Sequence, residues 1–190
     1  MTIGSTTVAQ IVARLRGAGL HPPGELMSPE GGGINAWWAR RERLGDANPI
    51  IPIVSHPVAL GWSLLYVGLV PREGKLETKR GFSDRVGKDH SSGNIGGSTF
   101  RQSLGALLIG HLALRPRPGL DRPRFLDEEM LTRWIEANCA VTFASCSQPW
   151  IFEEAVIAEM RAPLNLKPAG HEFSHAVESA RGALRRACGP

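Results

Sequence analysis

Long apolar runs are missing from this sequence. None approaches the roughly 18 residues that a membrane-spanning helix requires. The first twenty residues, MTIGSTTVAQIVARLRGAGL, space their apolar members at helical intervals, unlike the continuous core of a signal peptide. Cysteine is scarce: Cys139, Cys146 and Cys188 are odd in number and lack Cys-x-x-Cys spacing. That argues against a disulfide framework or a zinc knuckle and fits a reducing, cytoplasmic setting. Lysine is scarce too, for only Lys75, Lys79, Lys88 and Lys167 stand among 22 basic residues. Tyrosine is rarest. Tyr66 is the only one in 190 residues.

What is present is ordinary for a globular chain, with 42% hydrophobic and 21% charged residues. That balance predicts one compact domain over 1–190 with appended helices and no membrane association. The net charge of +4 permits a nucleic-acid partner, and arginine's planar fork suits bidentate phosphate contact. Arginine-favouring codons in a GC-rich genome account for the same bias. No obligate protein partner is signalled, and oligomeric state is not legible.

Periodicity predicts an N-terminal helix over about 5–19, capped by Ser5 or Thr6, with Val8, Ile11, Val12 and Leu15 inward. INAWWAR reads as a strand, and SLLYVGLV (63–70) as a second, with Gly68 breaking it just after Tyr66. The Pro-rich segment between them reads as an irregular excursion. KRGFSDRVGKDH has the spacing of a short helix with Phe82 and Val86 inward. STFRQSLGALLIGHLAL reads as a helix capped by Ser98 or Thr99, and LDEEMLTRWIEANC as another. RPRPGLDRPRF reads as a basic loop, able to track a phosphate backbone or to stay solvated. CAVTFAS is the third strand, PWIFEEAVIAEM a helix opened by Pro149, and FSHAVESARGALRRAC a last helix over about 172–188. The expected class is α+β: a small three-stranded sheet with helices packed on it. In the Trp37–Trp38 pair, alternation predicts one ring in the core and the other under a flanking helix; stacking on unpaired bases is the competing use.

Gly33-Ile34-Asn35, then Tyr66-Val67-Gly68, then Arg85, then Glu153 with Val156 and Ile157, followed by Pro163 and Asn165, resemble the ordered motifs of the GIY-YIG nuclease superfamily. Arg85, His90, Gly93, Asn94, Gly97, Ser98, Thr99, Arg101, Ser103 and Leu104 resemble a stretch found in small bacterial members. The likeness covers about 31–167. It implies a mainly antiparallel three-stranded sheet flanked by helices, with extra N- and C-terminal helices, and a metal-dependent endonuclease acting on DNA.

The resemblance also implies roles. Glu153 is the expected ligand of one magnesium (or manganese) ion, which keeps most of its water and takes one or two carboxylates. Glu154 is the fallback ligand, and a solvated first-turn pair is the structural reading of both. Arg85 is expected to clamp the scissile phosphate, and His90 to relay a proton or to bond the tyrosine oxygen. Tyr66 is expected to be the general base, since a nearby metal and arginine favour its phenolate. Lys88 and Arg101 are secondary phosphate contacts, and Asn165 holds either the phosphate or the glutamate's helix. Asn35 stands where the family has its first tyrosine; it can hydrogen-bond but cannot titrate. It is expected to reposition water or phosphate, and the alternative is a weakened or inactive nucleic-acid-binding module. The roughly 30-residue insertion between the strands is expected to add a loop over or beside the site.

HEFSH (171–175) is a literal His-Glu-x-x-His, which on a helix could hold zinc through His171 and His175 with Glu172 as base. It follows Pro168-Ala169-Gly170, so His171 falls at or before the helix start, and no third ligand is signalled. A zinc peptidase is therefore the remote reading.

Overall fold

The computed structural model describes residues 6–23, 32–70, 84–166 and 173–189. The elements are α1 (Val8–Gly17), β1 (Gly33–Arg40), α2 (Arg41–Ala47), β2 (Trp62–Val70), a π-helix (Asp84–Ser91), α3 (Thr99–Leu108), α4 (Glu128–Asn138), β3 (Cys139–Ser145), α5 (Pro149–Met160) and α6 (Phe173–Cys188). The three strands form one antiparallel sheet in the order β2-β1-β3. The class is α+β, as expected. Among the described residues no helix is long and apolar enough to cross a membrane.

Both faces of the sheet are covered, so the strands read as nearly continuous buried runs. Alternation in β1 sends Trp37 to one core and Trp38 to the other. Both rings are buried, at 0% and 1% exposure, and neither is free to stack on a base. On Trp37's side lie Tyr66, Val86 of the π-helix, Phe100 and Leu104 of α3, Leu131 of α4 and Val177 of α6. On Trp38's side lie Ile11 and Leu15 of α1 with Val156 and Met160 of α5.

Four local expectations are corrected. The cap of α1 is Thr7, whose Oγ1 accepts from the Gln10 N–H while Gln10 Oε1 accepts from the Thr7 N–H; this reciprocal pair satisfies two orphan donors at once. Gly68 does not break β2, which continues to Val70, because β1 pairs with it on both sides of that glycine, from Tyr66 to Val70. The helix at Thr99 stops at Leu108, and the chain turns through Gly110 to Ala113, a residue at φ 49. The β1–β2 excursion opens with α2, whose Leu44 is buried.

That excursion then returns along the outer edge of β2. Ser55 bridges Ser63, and the Leu64 N–H donates to the Val54 carbonyl at 2.8 Å. Further along the same edge the Leu164 N–H donates to the Leu65 carbonyl at 2.9 Å. The side-chain amide of Asn165 then binds both Val67 N–H and Val67 C=O, at 2.8 Å each. An exposed strand edge invites pairing with other chains, and here two unrelated segments cover it. The insertion joins the sheet at its Arg40–Trp62 end, away from the Gly33–Val70 end. It therefore does not lie beside Asn35 and Gly68.

Candidate active site

One face of the sheet gathers the polar and aromatic residues of the motifs. Asn35 pairs with Gly68 and Trp37 with Tyr66 in the β1–β2 register, so all four stand on the same side. Gly68 is needed there. A Cβ at this position would lie 3.1 Å from Tyr66 Cε1 and 3.2 Å from Asn35 Oδ1. The missing side chain is the space into which the tyrosine edge and the asparagine amide fit.

Over this row sit the π-helix and the start of α3. The Tyr66 ring meets His90 at 5.9 Å between centroids and 62°, and Phe100 at 5.6 Å and 41°. Trp37 stacks on Phe100 at 4.5 Å and meets His90 edge-on. His90 is buried, with Nδ1 2.6 Å from Ser98 Oγ in a hydrogen bond. Ser98 Oγ also accepts from the Arg101 N–H as the cap of α3. The imidazole is thereby locked between a helix cap and three aromatic rings. Asn35 is fully buried; its Oδ1 accepts from Trp37 Nε1 at 3.1 Å, and its Nδ2 has no partner.

Much of the stretch from His90 to Leu104 shapes this face instead of contacting it. Asn94 Oδ1 accepts from the Gly97 N–H at 3.1 Å, closing the turn before α3. A Cβ on Gly93 would lie 2.4 Å from the Asp89 carbonyl, so only glycine allows that close approach. Arg101 is fully buried. Its guanidinium donates to the Ser91 carbonyl, to the Glu128 carbonyl and carboxylate, and to Thr132 Oγ1. Burial pushes its pKa below the ordinary arginine range, and Glu128 offsets part of that. An arginine held this way ties the end of the π-helix to α4 and is not available to a phosphate. Asn165, with its amide on Val67, anchors the chain after α5 to β2 and likewise has no free polar end toward a ligand.

The other expected residues fall in three places. Arg85 lies on the π-helix beside Val86, which is buried on the Tyr66 side; its side chain is outside the described residues. Lys88 is exposed on the same helix. Glu153 is on α5, three and four residues before the buried Val156 and Ile157, and so on the sheet-facing stripe; it is half-buried, whereas Glu154 is exposed. Helix α5 covers the face opposite Tyr66. Its first turn starts just past Ser145, which is in register with Gly33 and through it with Val70. Glu153 thus lies about 6 Å of helix rise from the start of α5, near the sheet end shared with Asn35 and Gly68. Tyr66, His90 and Asn35 come together on one face, and Glu153 approaches their end of the sheet from the other.

Sequence reasoning missed Arg181 of α6. It is part-buried and donates to Gln102 Oε1. No motif spacing pointed to it.

The family model described as the GIY-YIG catalytic domain matches residues 33–186. The chain belongs to the GIY-YIG family. No curated protein and no solved structure matches it. GIY-YIG domains are nuclease-type catalytic domains, which implies a nucleic-acid substrate, and they generally use a divalent metal. The match runs through β1 to α6, so the helix carrying Arg181 is part of the GIY-YIG domain.

Among the described residues no three His, Cys, Asp or Glu side chains are grouped to hold an ion. An ion that keeps most of its water and takes one carboxylate is compatible with a single half-buried glutamate such as Glu153. Of HEFSH, His171 and Glu172 lie outside the described residues, and His175 is exposed on α6. At the start of the basic 115–124 loop the Arg115 guanidinium makes two bonds to the Asp127 carboxylate at 2.9 and 2.8 Å. This pair raises the Arg115 pKa and lowers that of Asp127.

Proposed function

We propose that the protein is a divalent-metal-dependent endonuclease that hydrolyses phosphodiester bonds in DNA. The observation that carries the reading is Tyr66, the chain's only phenol, set in ring contact with an anchored His90 beside the family's glycine. Tyr66 takes the proton of the attacking water as that oxygen bonds to phosphorus, and the bond to the leaving oxygen breaks. His90, held by Ser98, keeps the phenol oriented and offers a route for that proton. Arg85 neutralises the equatorial oxygens, and exposed Lys88 adds to that charge at the rim. Glu153 holds magnesium or manganese, which when bound stabilises charge on the phosphate and the leaving alkoxide. Asn35 contributes its unpartnered Nδ2 as a fixed donor at the sheet end.

A second reading has its own observation. Asn35 is fully buried and bonded to Trp37 where the family has a tyrosine. A chain that required that first phenol would bind nucleic acid without cutting it.

One experiment separates the two. Plasmid and single-stranded DNA are incubated with the protein and magnesium or manganese, beside Glu153→Ala and Tyr66→Phe. Cleavage by the wild type that both substitutions abolish supports the endonuclease. Binding by all three proteins with no cleavage by any selects the binding module.

A further inference from the structure

Residues 115–126 form a two-armed ribbon. Pro116 bridges Phe125 in antiparallel register. The Arg117 N–H donates to the Arg124 carbonyl at 2.9 Å, and the Leu126 N–H to the Arg115 carbonyl at 2.8 Å. The tip turns at Pro118-Gly119, where Gly119 takes a φ of 78 that suits glycine. Pro116, Pro118 and Pro123 each fix φ, so the arm has little freedom to lose on binding.

Alternation along the two arms decides which side chains face out. Phe125 is buried and points inward, where its ring lies 2.7 Å from the place of a Cβ on Gly105 of α3. Arg117 and Arg124 therefore share the outer side and stand opposite each other, with Arg122 exposed nearer the tip. Arg115 is taken by Asp127, but among the described residues no carboxylate pairs with Arg117, Arg122 or Arg124. Asp121 is the one acid within the loop. Like charges opposite each other across two strands cost stability in the free protein. A polyanion laid along them removes that cost.

The ribbon is fixed to the catalytic face. Glu128 Oε1 accepts from the Phe125 N–H at 3.2 Å and from the Ile95 N–H at 3.1 Å, while its Oε2 accepts from Arg101 at 3.2 Å. One carboxylate thus ties the ribbon, the turn before α3 and α3 itself together. A Cβ on Gly96 would lie 3.0 Å from the Pro123 carbonyl oxygen and 3.1 Å from Arg122 Cβ, so the returning arm rests directly on that turn. Two residues beyond Gly96, Ser98 holds His90. At the end of α6 the Cys188 thiol donates to the Arg124 carbonyl at 3.3 Å.

We propose that this ribbon is a docking arm for the phosphate backbone of duplex DNA, with Arg117, Arg122 and Arg124 as its phosphate contacts. Guanidinium forks suit phosphate oxygens, and such contacts position a duplex without reading its sequence. The 115–124 loop holds no aromatic residue, so it offers no platform on which unpaired bases could stack. The assignment rests on the reading of the chain as a nuclease acting on DNA, and adds where the substrate is held.

Binding of a short fluorescent duplex is measured by anisotropy over a range of salt, with a chelator present so that no DNA is cut. Wild type is compared with Arg117→Gln/Arg124→Gln and with Arg117→Gln/Arg122→Gln. Each phosphate contact contributes about 0.9 to the slope of log K against log salt, so each double variant is expected to lose about 1.8. Thermal melting of Arg117→Gln/Arg124→Gln is expected at or above the wild-type temperature, because the opposed charges are gone. Should that variant fail to fold through its half-buried Arg124, the exposed pair Arg117 and Arg122 carries the test. With magnesium or manganese restored, KM rises in the variants while kcat at saturating DNA stays. An unchanged slope in the folded variants overturns the arm, even if DNA is cut. A reduced slope in a protein that cuts no DNA supports the arm and removes the endonuclease reading. A loss confined to single-stranded DNA, or a wild type that binds no duplex, overturns the assignment to duplex DNA.

Discussion

The side-chain amide of Asn165 forms a two-point pair with Val67, accepting from its N–H and donating to its C=O at 2.8 Å each. One side chain thereby does what a neighbouring strand would do for the residue between Tyr66 and Gly68. Asn165→Ala leaves both Val67 groups buried without partners. A loss of about 2–3 kcal/mol is expected from urea unfolding. Asn165→Asp, which accepts but cannot donate, should fall between the two; an unchanged midpoint in Asn165→Ala would remove the anchoring role.

Gly68→Ala sets a methyl about 3.1–3.2 Å from Tyr66 and Asn35. The strand itself tolerates alanine, so the expected cost is that of overpacking, about 1–3 kcal/mol. Because the crowding falls on the phenol and the amide, cleavage is expected to drop by more than stability alone accounts for. A folded variant with wild-type kcat would show that this spacing does not matter.

Arg101→Leu removes the guanidinium that joins Ser91, Glu128 and Thr132. Breaking a buried pair by deleting one partner costs about 3–5 kcal/mol. Thermal melting should show that loss, with no change in the salt dependence of DNA binding by the protein that remains folded. A reduced salt slope at unchanged stability would instead make Arg101 a phosphate contact.

His56 gives the fold a pH dependence. It is buried against Trp38, its Nδ1 accepts from the Val58 and Ala59 N–H groups, and burial lowers its pKa. The unfolded histidine therefore takes a proton at a higher pH than the folded one. The stability it contributes is present above about pH 6.5 and declines as the pH falls through the interval down to the native pKa. Melting temperatures between pH 8 and 5 should fall for the wild type more than for His56→Gln. Parallel curves would exclude the effect.

Tyr66→Phe tests the chemistry separately from the packing. The ring contacts with His90 and Phe100 do not depend on the hydroxyl. Stability is expected to change by less than about 1 kcal/mol, while removal of a general base lowers kcat by about 100-fold or more. Equal losses in both would make Tyr66 a core residue.

Part of this was legible along the chain. CAVTFAS and PWIFEEAVIAEM were placed correctly because β-branched residues and an N-terminal proline act within a few positions of themselves. The final helix was legible from its spacing of Phe173, Val177 and Leu184. RERLGDA was not, because α2 has no side-chain cap and holds its place by burying Leu44 in a core built elsewhere. Nor was the continuity of β2 through Gly68, which depends on β1 pairing across it.

The amino-acid order alone determined the element sequence apart from α2, the likeness to GIY-YIG domains, and the identity of the one phenol able to titrate. These follow from local periodicity and residue chemistry, which need no knowledge of distant neighbours. Tertiary structure alone decided the rest. It put Trp37 and Trp38 in separate cores, turned Arg101 inward to Glu128, gave Asn165 to the edge of β2, and set α5 with Glu153 on the face opposite Tyr66. It also brought Arg181 of α6 onto Gln102 of α3, 79 positions away in sequence. An arginine's role depends on whether water or a packed core surrounds its guanidinium, and that surrounding is assembled from segments remote in sequence.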